Sequence, residues 1–441
     1  LNVAVIGTGI SGMAAAWLLS QHHTVTVYES DARIGGHTNT VDASIGSNTV
    51  PVDTGFIVYN PLNYPNLTAL FAHLGVPTKS SDMSFAASLD AGRLEYSGSD
   101  LGGLFAQKRN LLRPRFWSML RDLRRFYRDA PQAAYGDPSI TLGDYLKRGG
   151  YGEAFCQDHL LPMAAAIWSS PPQAILDYPA AAFIRFHANH GLLQVSNRPE
   201  WRTVDGGSRA YVKLLTAHYA GRIKLSCGAT AIRRERHGVR IADAQGGEAQ
   251  FDHTVIATHA DQALALLNDA TESERTILSP FRYTRNLAVL HTDAGLMPKR
   301  RKAWASWNFI GSPDRNSGPE ICVTYWMNRL QSIGGQTNLF VTLNPVRPPQ
   351  AETVLHTEVY EHPLFDADAL RAQARLWSLQ GRGNTWFCGA YFGSGFHEDG
   401  LQAGLAVAEA LGGVKRPWTV ANESGRIQIA APPASRIAEA A

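Results

Sequence analysis

Asn2-Val3-Ala4-Val5-Ile6-Gly7-Thr8-Gly9-Ile10-Ser11-Gly12-Met13 runs from a short apolar stretch into a glycine turn and on into residues 13–19, which have helical composition. A second alternating stretch, Thr24–Tyr28, closes on Glu29. Strand, glycine turn, helix and strand in about 30 residues make a βαβ unit, and G-x-G-x-x-G at its first turn is a dinucleotide-binding fingerprint. Each glycine has its own task. Gly7 makes a tight turn, Gly9 lets backbone approach a pyrophosphate, and Gly12 lets helix pack closely on strand. The helix opening near Ser11 offers unpaired N–H groups and the positive end of its dipole to phosphate. Glu29 is placed to accept hydrogen bonds from a ribose diol, and its charge disfavours a 2′-phosphate.

Downstream of Glu29 the chain reads Ser30-Asp31-Ala32-Arg33-Ile34-Gly35-Gly36-His37-Thr38. A glycine pair there lets backbone wrap the ribityl chain and pyrophosphate of a cofactor longer than NAD, which points to FAD. Near the C-terminal end, Phe387-Cys388-Gly389-Ala390 reads as a strand entering a turn, and Glu398-Asp399-Gly400 reads as the approach to a helix over 401–411. That arrangement would aim a second set of N–H groups at the cofactor, where such donors stabilise negative charge at the flavin N1–C2=O edge.

Glu29 with Arg33, Gly35 and Gly36 resembles the motif of the flavin-containing amine oxidoreductase superfamily, which also holds protoporphyrinogen oxidases and carotenoid desaturases. Asp53-Thr54-Gly55-Phe56-Ile57 resembles its loop beside the flavin ring. Val204-Asp205-Gly206-Gly207 resembles its mid-chain double-glycine turn, and 387–404 its C-terminal FAD motif. The resemblance spans the chain. It implies an α/β fold: a glutathione-reductase-type Rossmann FAD domain with a second mixed-sheet plus helical substrate domain. The FAD domain is expected to be discontinuous, from 1–66, 200–262 and 381–420. The substrate domain would come from 67–199 and 263–380, followed by a C-terminal tail, 421–441. Cofactor contacts are expected from Gly7, Gly9, Ser11, Gly12, Glu29, Ser30, Arg33, Gly35, Gly36, His37, Thr38, Thr54, Gly55, Phe56, Gly389, Asp399 and Gly400.

The departures from the superfamily pattern bear on chemistry. Amine oxidases of this group commonly carry a cage aromatic three positions before the glycine matched by Gly400, where this chain has His397. The acidic residue usual after Gly389-Ala390 is Tyr391, and the Arg usual after the first double glycine is His37. No Cys lies in a context resembling covalent flavin attachment, so the FAD is expected to be non-covalent. Segments 53–60, 162–169, 189–192, 201–211 and 325–328 resemble a narrower bacterial group of amine oxidase-like NAD/FAD-binding proteins, whose relatives desaturate or isomerise fatty acyl chains. Together these imply an oxidoreductase acting on an apolar lipid, most simply an unsaturated fatty acyl chain. His397 would be the polar group near the reacting carbon, as base, acid or orienting donor. Tyr325, Trp326 and Trp168 would wall the substrate tunnel. The alternatives are a flavin amine oxidase and a flavin-binding redox or partner protein without turnover. Nothing in the sequence names the electron acceptor.

Composition sets the outer bounds. The chain has 441 residues, 41 Lys and Arg against 38 Asp and Glu, a net charge of +3, 44% hydrophobic residues and 18% charged ones. That length supports two or three folding units. The charge is too close to neutral for nucleic acid to be the main partner, and the balance excludes wholesale disorder. Four scattered cysteines without a CxxC pair suggest neither a disulfide framework nor a zinc ribbon, and fit a reducing cytoplasm. The first residues read as a strand and not as a cleavable signal, and a few residues are expected upstream of Leu1. No apolar run reaches the ~20 residues of a spanning helix.

Between 67 and 191 the pattern is mostly helical, with helices expected over 110–128, 140–148 and 152–167. Residues 208–220 read as a further helix, and 223–226, 231–235, 239–243 and 249–257 read as strands returning to the first sheet. Strands expected over 284–292, 303–310, 321–327 and 339–343 would build a second, largely antiparallel sheet. His187 and His190, at i,i+3 with Phe183 and Phe186, lack the further ligands of a metal site, so packing is expected and no metal. Residues 108–128 hold Lys108 and seven arginines against one acid, Asp122. They read as a helix with a solvated basic face, or as a peripheral contact to the inner face of a membrane.

Overall fold

The computed structural model describes residues 1–137, 139–168, 172–194, 198–311 and 322–429. Residues 169 and 321, at the ends of two segments singled out above, and 430–441 of the tail lie outside that set. The chain divides into two compact units. The first is 1–36, 215–282 and 368–441, and the second 37–214 and 283–367.

The first unit is built on a five-stranded parallel sheet in the order Ile223–Lys224, Thr24–Tyr28, Asn2–Ile6, His253–Ile256, Thr385–Phe387. Asn2–Ile6 lies at its centre and is buried from Val3 onward, as parallel strands covered on both faces must be. The opening helix Ile10–Leu19 is buried at every residue, which explains why its sequence is apolar all round and not amphipathic. The C-terminal helix His397–Gly412 packs along it. At the contact a Cβ on Gly404 would lie 2.2 Å from Ser11 O, so only glycine permits the approach. Ala229–Glu235, Gly238–Asp243 and Glu248–Phe251, expected to return to the first sheet, form a separate antiparallel sheet instead. The strand expected over 249–257 is two strands parted at Asp252, one in each sheet.

The second unit carries a seven-stranded sheet in the order Val354–Leu364, Arg282–His291, Phe340–Leu343, Val323–Trp326, Trp307–Ile310, Phe85–Leu89, Leu94–Ser97. Trp307–Ile310 runs parallel to Phe85–Leu89, while Phe340–Leu343 is antiparallel to both its neighbours in register, Arg282–His291 and Val323–Trp326. Its helices include Pro114–Asp129, Leu142–Arg148, Leu161–Trp168 and Ala180–Asn189. Several expectations need correction. The region 67–191 is not simply helical, because Thr78–Ser81, Phe85–Leu89 and Leu94–Ser97 are strands. Two of them pair with Trp201–Val204 and Trp307–Ile310, far along the chain, and no local pattern announces such partners. The helix expected over 110–128 is broken at Arg113 (φ −100°, ψ 111°), since the residue before Pro114 is pushed out of the helical region. Within 303–310 the strand begins only at Trp307, after a 3₁₀ turn Arg301–Ala303. The helix expected over 208–220 stops at Thr216.

The compact units differ from the expected domains at 37–66, 200–214, 263–282 and 368–380. The hairpin Thr40–Ile45 with Asn48–Asp53 and the small sheet Val58–Tyr59, Trp201–Val204, Thr78–Ser81 hold the first two segments in the second unit. The stretch leading into the tail is anchored. Trp418 stacks on Trp17 with centroids 5.7 Å apart, and the buried Arg416 pairs with Glu409 at 2.7 Å. Among the described residues no helix is long and apolar enough to cross a membrane.

Candidate functional site

In the first unit the three fingerprint glycines divide their work as their spacing predicts. Gly7 has φ +98°, and a Cβ there would sit 3.1 Å from Ala257 O. A Cβ on Gly12 would fall 2.0 Å from Gly7 O. At Gly9, by contrast, a Cβ would meet nothing within 4 Å. Gly7 and Gly12 are therefore glycine for the protein's own geometry. Gly9 borders open space at the N-terminus of Ile10–Leu19, where a pyrophosphate would stand.

The first turn of the C-terminal helix abuts the same place. Ser11 Oγ donates to Gly400 O at 2.8 Å, and a Cβ on Gly400 would come 2.8 Å from the Ile10 side chain. Two helix N-termini thus meet, each with N–H groups that have no intrahelical acceptor, and together they fit an anionic ligand such as FAD's pyrophosphate. The C-terminal helix starts at His397, one turn earlier than its apolar periodicity suggests, because Asp399 accepts the Phe396 N–H at 2.7 Å. Asp399 is fully buried and held by Arg426 at 2.6 Å. Burial pushes its carboxyl up, against the pull of that guanidinium. Its oxygens accept from Phe396 N and Arg426, so Asp399 fixes the helix end.

Glu29 is 7% exposed and gathers four donors. Oε2 accepts from Thr8 N at 2.8 Å and from the Thr8 hydroxyl, and Oε1 from Asp31 N at 2.9 Å and Ser30 Oγ at 3.2 Å. Thr8 Oγ1 in turn accepts from Gly35 N at 3.1 Å, and Arg33 donates to Gly36 O at 2.7 Å. The first glycine turn and the glycine pair are thereby one hydrogen-bonded cradle, with a Cβ on Gly36 predicted only 3.1 Å from Gly9 Cα. Thr8 is a member that sequence reasoning missed, since it occupies a variable position of the fingerprint. We expect Glu29→Ala to weaken FAD binding by about 1–3 kcal/mol, because a charge-assisted acceptor is lost together with the donors it orders. A fluorescence titration giving unchanged affinity would count against this assignment.

His397 is half-buried at the first position of its helix, and burial pushes its imidazole down to about 3. It is neutral near pH 7 and too weakly basic to serve as a proton acceptor there, which leaves it a hydrogen-bonding role. Gly389 leads into Tyr391, which packs on Phe281 with centroids 5.2 Å apart.

In the second unit the residues expected beside a flavin ring form their own tight loop pair. Phe56 N donates to His37 O at 2.7 Å and Thr54 N to Asn39 O at 2.9 Å, and a Cβ on Gly55 would lie 2.0 Å from His37 O. Thr38 Oγ1 lies 2.6 Å from Tyr211 OH and Thr54 Oγ1 2.7 Å from Tyr360 OH, while the His37 ring packs 5.2 Å from that of Tyr360. Asp53, fully buried, is the anchor that sequence reasoning left out of the site. It accepts from Thr40 Oγ1 at 2.6 Å, Ser208 Oγ at 2.7 Å and Gln331 Nε2 at 3.2 Å, and so ties the loop to the double-glycine turn at Gly206 and Gly207. Burial raises its carboxyl to about 6. Its place directly before Thr54-Gly55 was the available signal.

Tyr325 and Trp326 are not brought together. As neighbours in a strand they point to opposite faces. Tyr325 packs edge-on against Trp307 at 4.8 Å, and Trp326 against Trp304 at 5.4 Å, in a separate cluster with Met297 and Phe340. One tunnel wall cannot hold both. Trp168 lies elsewhere, 4.5 Å from Phe186 and 5.5 Å from both Phe183 and His187.

That aromatic group holds His187, for which packing was expected, and leads on to His159, which the sequence did not flag. His187 Nδ1 is 2.9 Å from Phe183 O, and since a carbonyl only accepts, Nδ1 carries the proton. His159 lies in a π-helical turn, Cys156–Leu160, a feature frequent at functional sites. The Tyr96 hydroxyl donates to Asp158 O at 2.7 Å, so His159 Nδ1 donates to the Tyr96 oxygen at 3.0 Å. Burial holds both imidazoles down at about 4. Both Nε2 atoms are buried lone pairs without a protein partner, the kind of group that water or a ligand serves. Among the described residues no group of three or more His, Cys, Asp or Glu could hold a metal.

The model of the flavin-containing amine oxidoreductases matches residues 10–292 of this chain. Among solved structures, cyclohexylamine oxidase from Brevibacterium oxydans IH-35A is similar at 16% identity and TM-score 0.68, covering 94% of this chain and 99% of its own. A CLA-producing fatty acid isomerase from P. acnes is similar at 16% identity and TM-score 0.65, covering 93% and 98%. A putrescine oxidase variant is similar at 14% identity and TM-score 0.64, with the same coverages of 93% and 98%. At these identities the likeness is one of fold. A comparison with curated protein sequences gives no significant match.

Proposed function

The chain belongs to the flavin-containing amine oxidoreductase family, as a flavin-dependent oxidoreductase with FAD as its cofactor, and on that premise we propose that it desaturates or isomerises an unsaturated fatty acyl chain. Non-covalently bound FAD supplies the hydride chemistry at its N5. The chain's own residues supply binding, orientation and exclusion of water.

The observation that carries the proposal is the aromatic enclosure of the second unit. Trp168, Phe183 and Phe186 surround His187, and Phe155 and Tyr96 pack against His159. Its walls are aromatic and its unpartnered polar atoms are uncharged imidazole nitrogens, which suit an uncharged apolar chain rather than a charged amine. An ammonium group would need a carboxylate instead, and nearby Asp158 is committed to Arg115 through two bonds of 2.7 and 3.0 Å. His397, standing where an amine oxidase would carry a cage aromatic, adds one neutral polar group at the helix end expected to face the flavin. Support from the comparisons is shared: the similar structures include a fatty acid isomerase, a protein assigned as a protoporphyrinogen oxidase and amine oxidases of two kinds.

We expect linoleic acid, mixed anaerobically with the holoprotein, to perturb the flavin spectrum or to emerge with rearranged double bonds by gas chromatography. Cyclohexylamine and putrescine should do neither and release no peroxide in air. Rapid bleaching by an amine without response to any fatty acid would install amine oxidation in its place. Silence toward both, and toward chemical reductants, would favour a redox or partner protein. His397→Ala should retain FAD and slow the lipid reaction about 10- to 100-fold, the loss of one orienting hydrogen bond and not of a general base.

A further inference from the structure

We propose that the segment leading into the basic helix of the second unit, together with that helix's first turn, residues 93–117, docks the protein onto membranes containing anionic phospholipid. The sequence suggested the helix face over 108–128 for such a contact. The structure excludes that face as the apolar element, because Phe116, Met119 and Phe126 are buried in the core. The apolar groups that reach solvent lie before it. Leu112 is 86% exposed, Leu101 75%, and Leu111 and Trp117 48% each. Scattered exposed leucines are ordinary, but Trp117 ties Leu111, which Leu112 follows directly, to the end of the short helix that Leu101 opens. Trp117 Nε1 donates to Leu111 O at 2.9 Å, and the Trp117 ring packs on Phe105 with centroids 5.9 Å apart.

A second observation concerns charge. Arg109 and Arg113 both donate to the carbonyl of Arg93, Arg113 at 2.7 Å, which gathers three guanidiniums beside a fourth, Arg300. Burial and these like charges hold Arg113 below its ordinary value, with Asp90 pulling the other way. Two carboxylates, Asp90 and the buried Glu95, belong to this group, and the other neighbouring acids are paired with arginines outside it. Glu95 pairs with Arg300 at 2.9 Å, Asp158 with Arg115, and Asp122 with Arg121 and Arg125. Four arginines, Arg93, Arg109, Arg113 and Arg300, against Asp90 and Glu95 leave an excess of positive charge at the surface, which favours an anionic partner. Exposed leucine and tryptophan beside them specify its chemistry: aliphatic and indole groups enter the acyl boundary while arginines meet phosphate. A nucleic acid has no use for the leucines, and the chain's net charge of +3 is too low to favour one.

The test is sedimentation of the full-length holoprotein with vesicles of phosphatidylcholine alone or of equal parts phosphatidylcholine and phosphatidylglycerol. We expect binding to the anionic vesicles only, weakened by salt. Leu112→Ser should cut the partition coefficient about tenfold, and Arg109→Glu should cut it further, with FAD content and turnover of soluble substrate unchanged by either. Equal binding to both vesicles, indifference to Leu112→Ser, or retention only on an acidic polypeptide or RNA would overturn the proposal. None of these outcomes depends on which substrate the enzyme turns over.

Discussion

Gly9→Val is expected to yield a folded protein that purifies without yellow colour. The backbone at Gly9 has φ −60° and ψ 171°, which any residue can adopt, and a Cβ there touches nothing within 4 Å. Folding therefore has little to lose. A valine would instead fill the space beside the first turn of Ile10–Leu19, where backbone N–H groups would meet the pyrophosphate, and FAD affinity should fall by roughly a hundredfold or more, about 3 kcal/mol. Gly12→Ala is the control with the opposite signature. Its Cβ would fall 2.0 Å from Gly7 O, so backbone must move and the thermal midpoint should drop before binding is even measured. A Gly9→Val protein that retains stoichiometric FAD would remove the fingerprint from the site.

Stability should decline steeply as pH falls below about 6.5, the ordinary histidine value. Burial holds His159, His187 and His291 at about 4 and His397 at about 3 in the folded chain. Below the ordinary value the unfolded chain binds protons that the native state refuses, so the contribution of each is complete above pH ~6.5 and is lost progressively toward the folded values. Each shift amounts to on the order of 3 kcal/mol, against a total stability of about 5–15 kcal/mol. Asp53 works in the other direction. Its carboxyl, raised to about 6, makes the native state the better proton binder between the ordinary carboxylate value and about 6, so its contribution grows on acidification. Asp399, whose carboxyl burial also pushes up, acts in the same direction, and these two carboxyls do not offset four imidazoles. Thermal midpoints measured from about pH 7.5 to pH 4.5 should fall throughout, and His187→Phe should flatten the slope. A flat profile in the wild type would show that these rings are solvated in the folded protein.

The sequence by itself determined whatever is local along the chain. Strand, glycine turn, helix, strand and acid are contiguous from Asn2 to Glu29, and each residue's task follows from its own backbone conformation, so the Rossmann unit and its cofactor class were legible without coordinates. The resemblance carried by Arg33, Gly35, Gly36 and the 387–404 motif extended that to the family. Tertiary structure decided everything that depends on partners distant in sequence. Asp53 finds Gln331 and Ser208, and Gly404 finds Ser11. Arg426, in the C-terminal tail, fastens Asp399. Tyr325 and Trp326, adjacent in sequence and alike in composition, were sent to opposite faces by the pleat of their strand. His159 and His187 look like ordinary core histidines until Tyr96 and Phe183 fix their tautomers and strand both Nε2 lone pairs inside an aromatic wall. A side chain's identity is written in the sequence, but its protonation state and the direction of its lone pair are set by burial and by neighbours that only folding supplies.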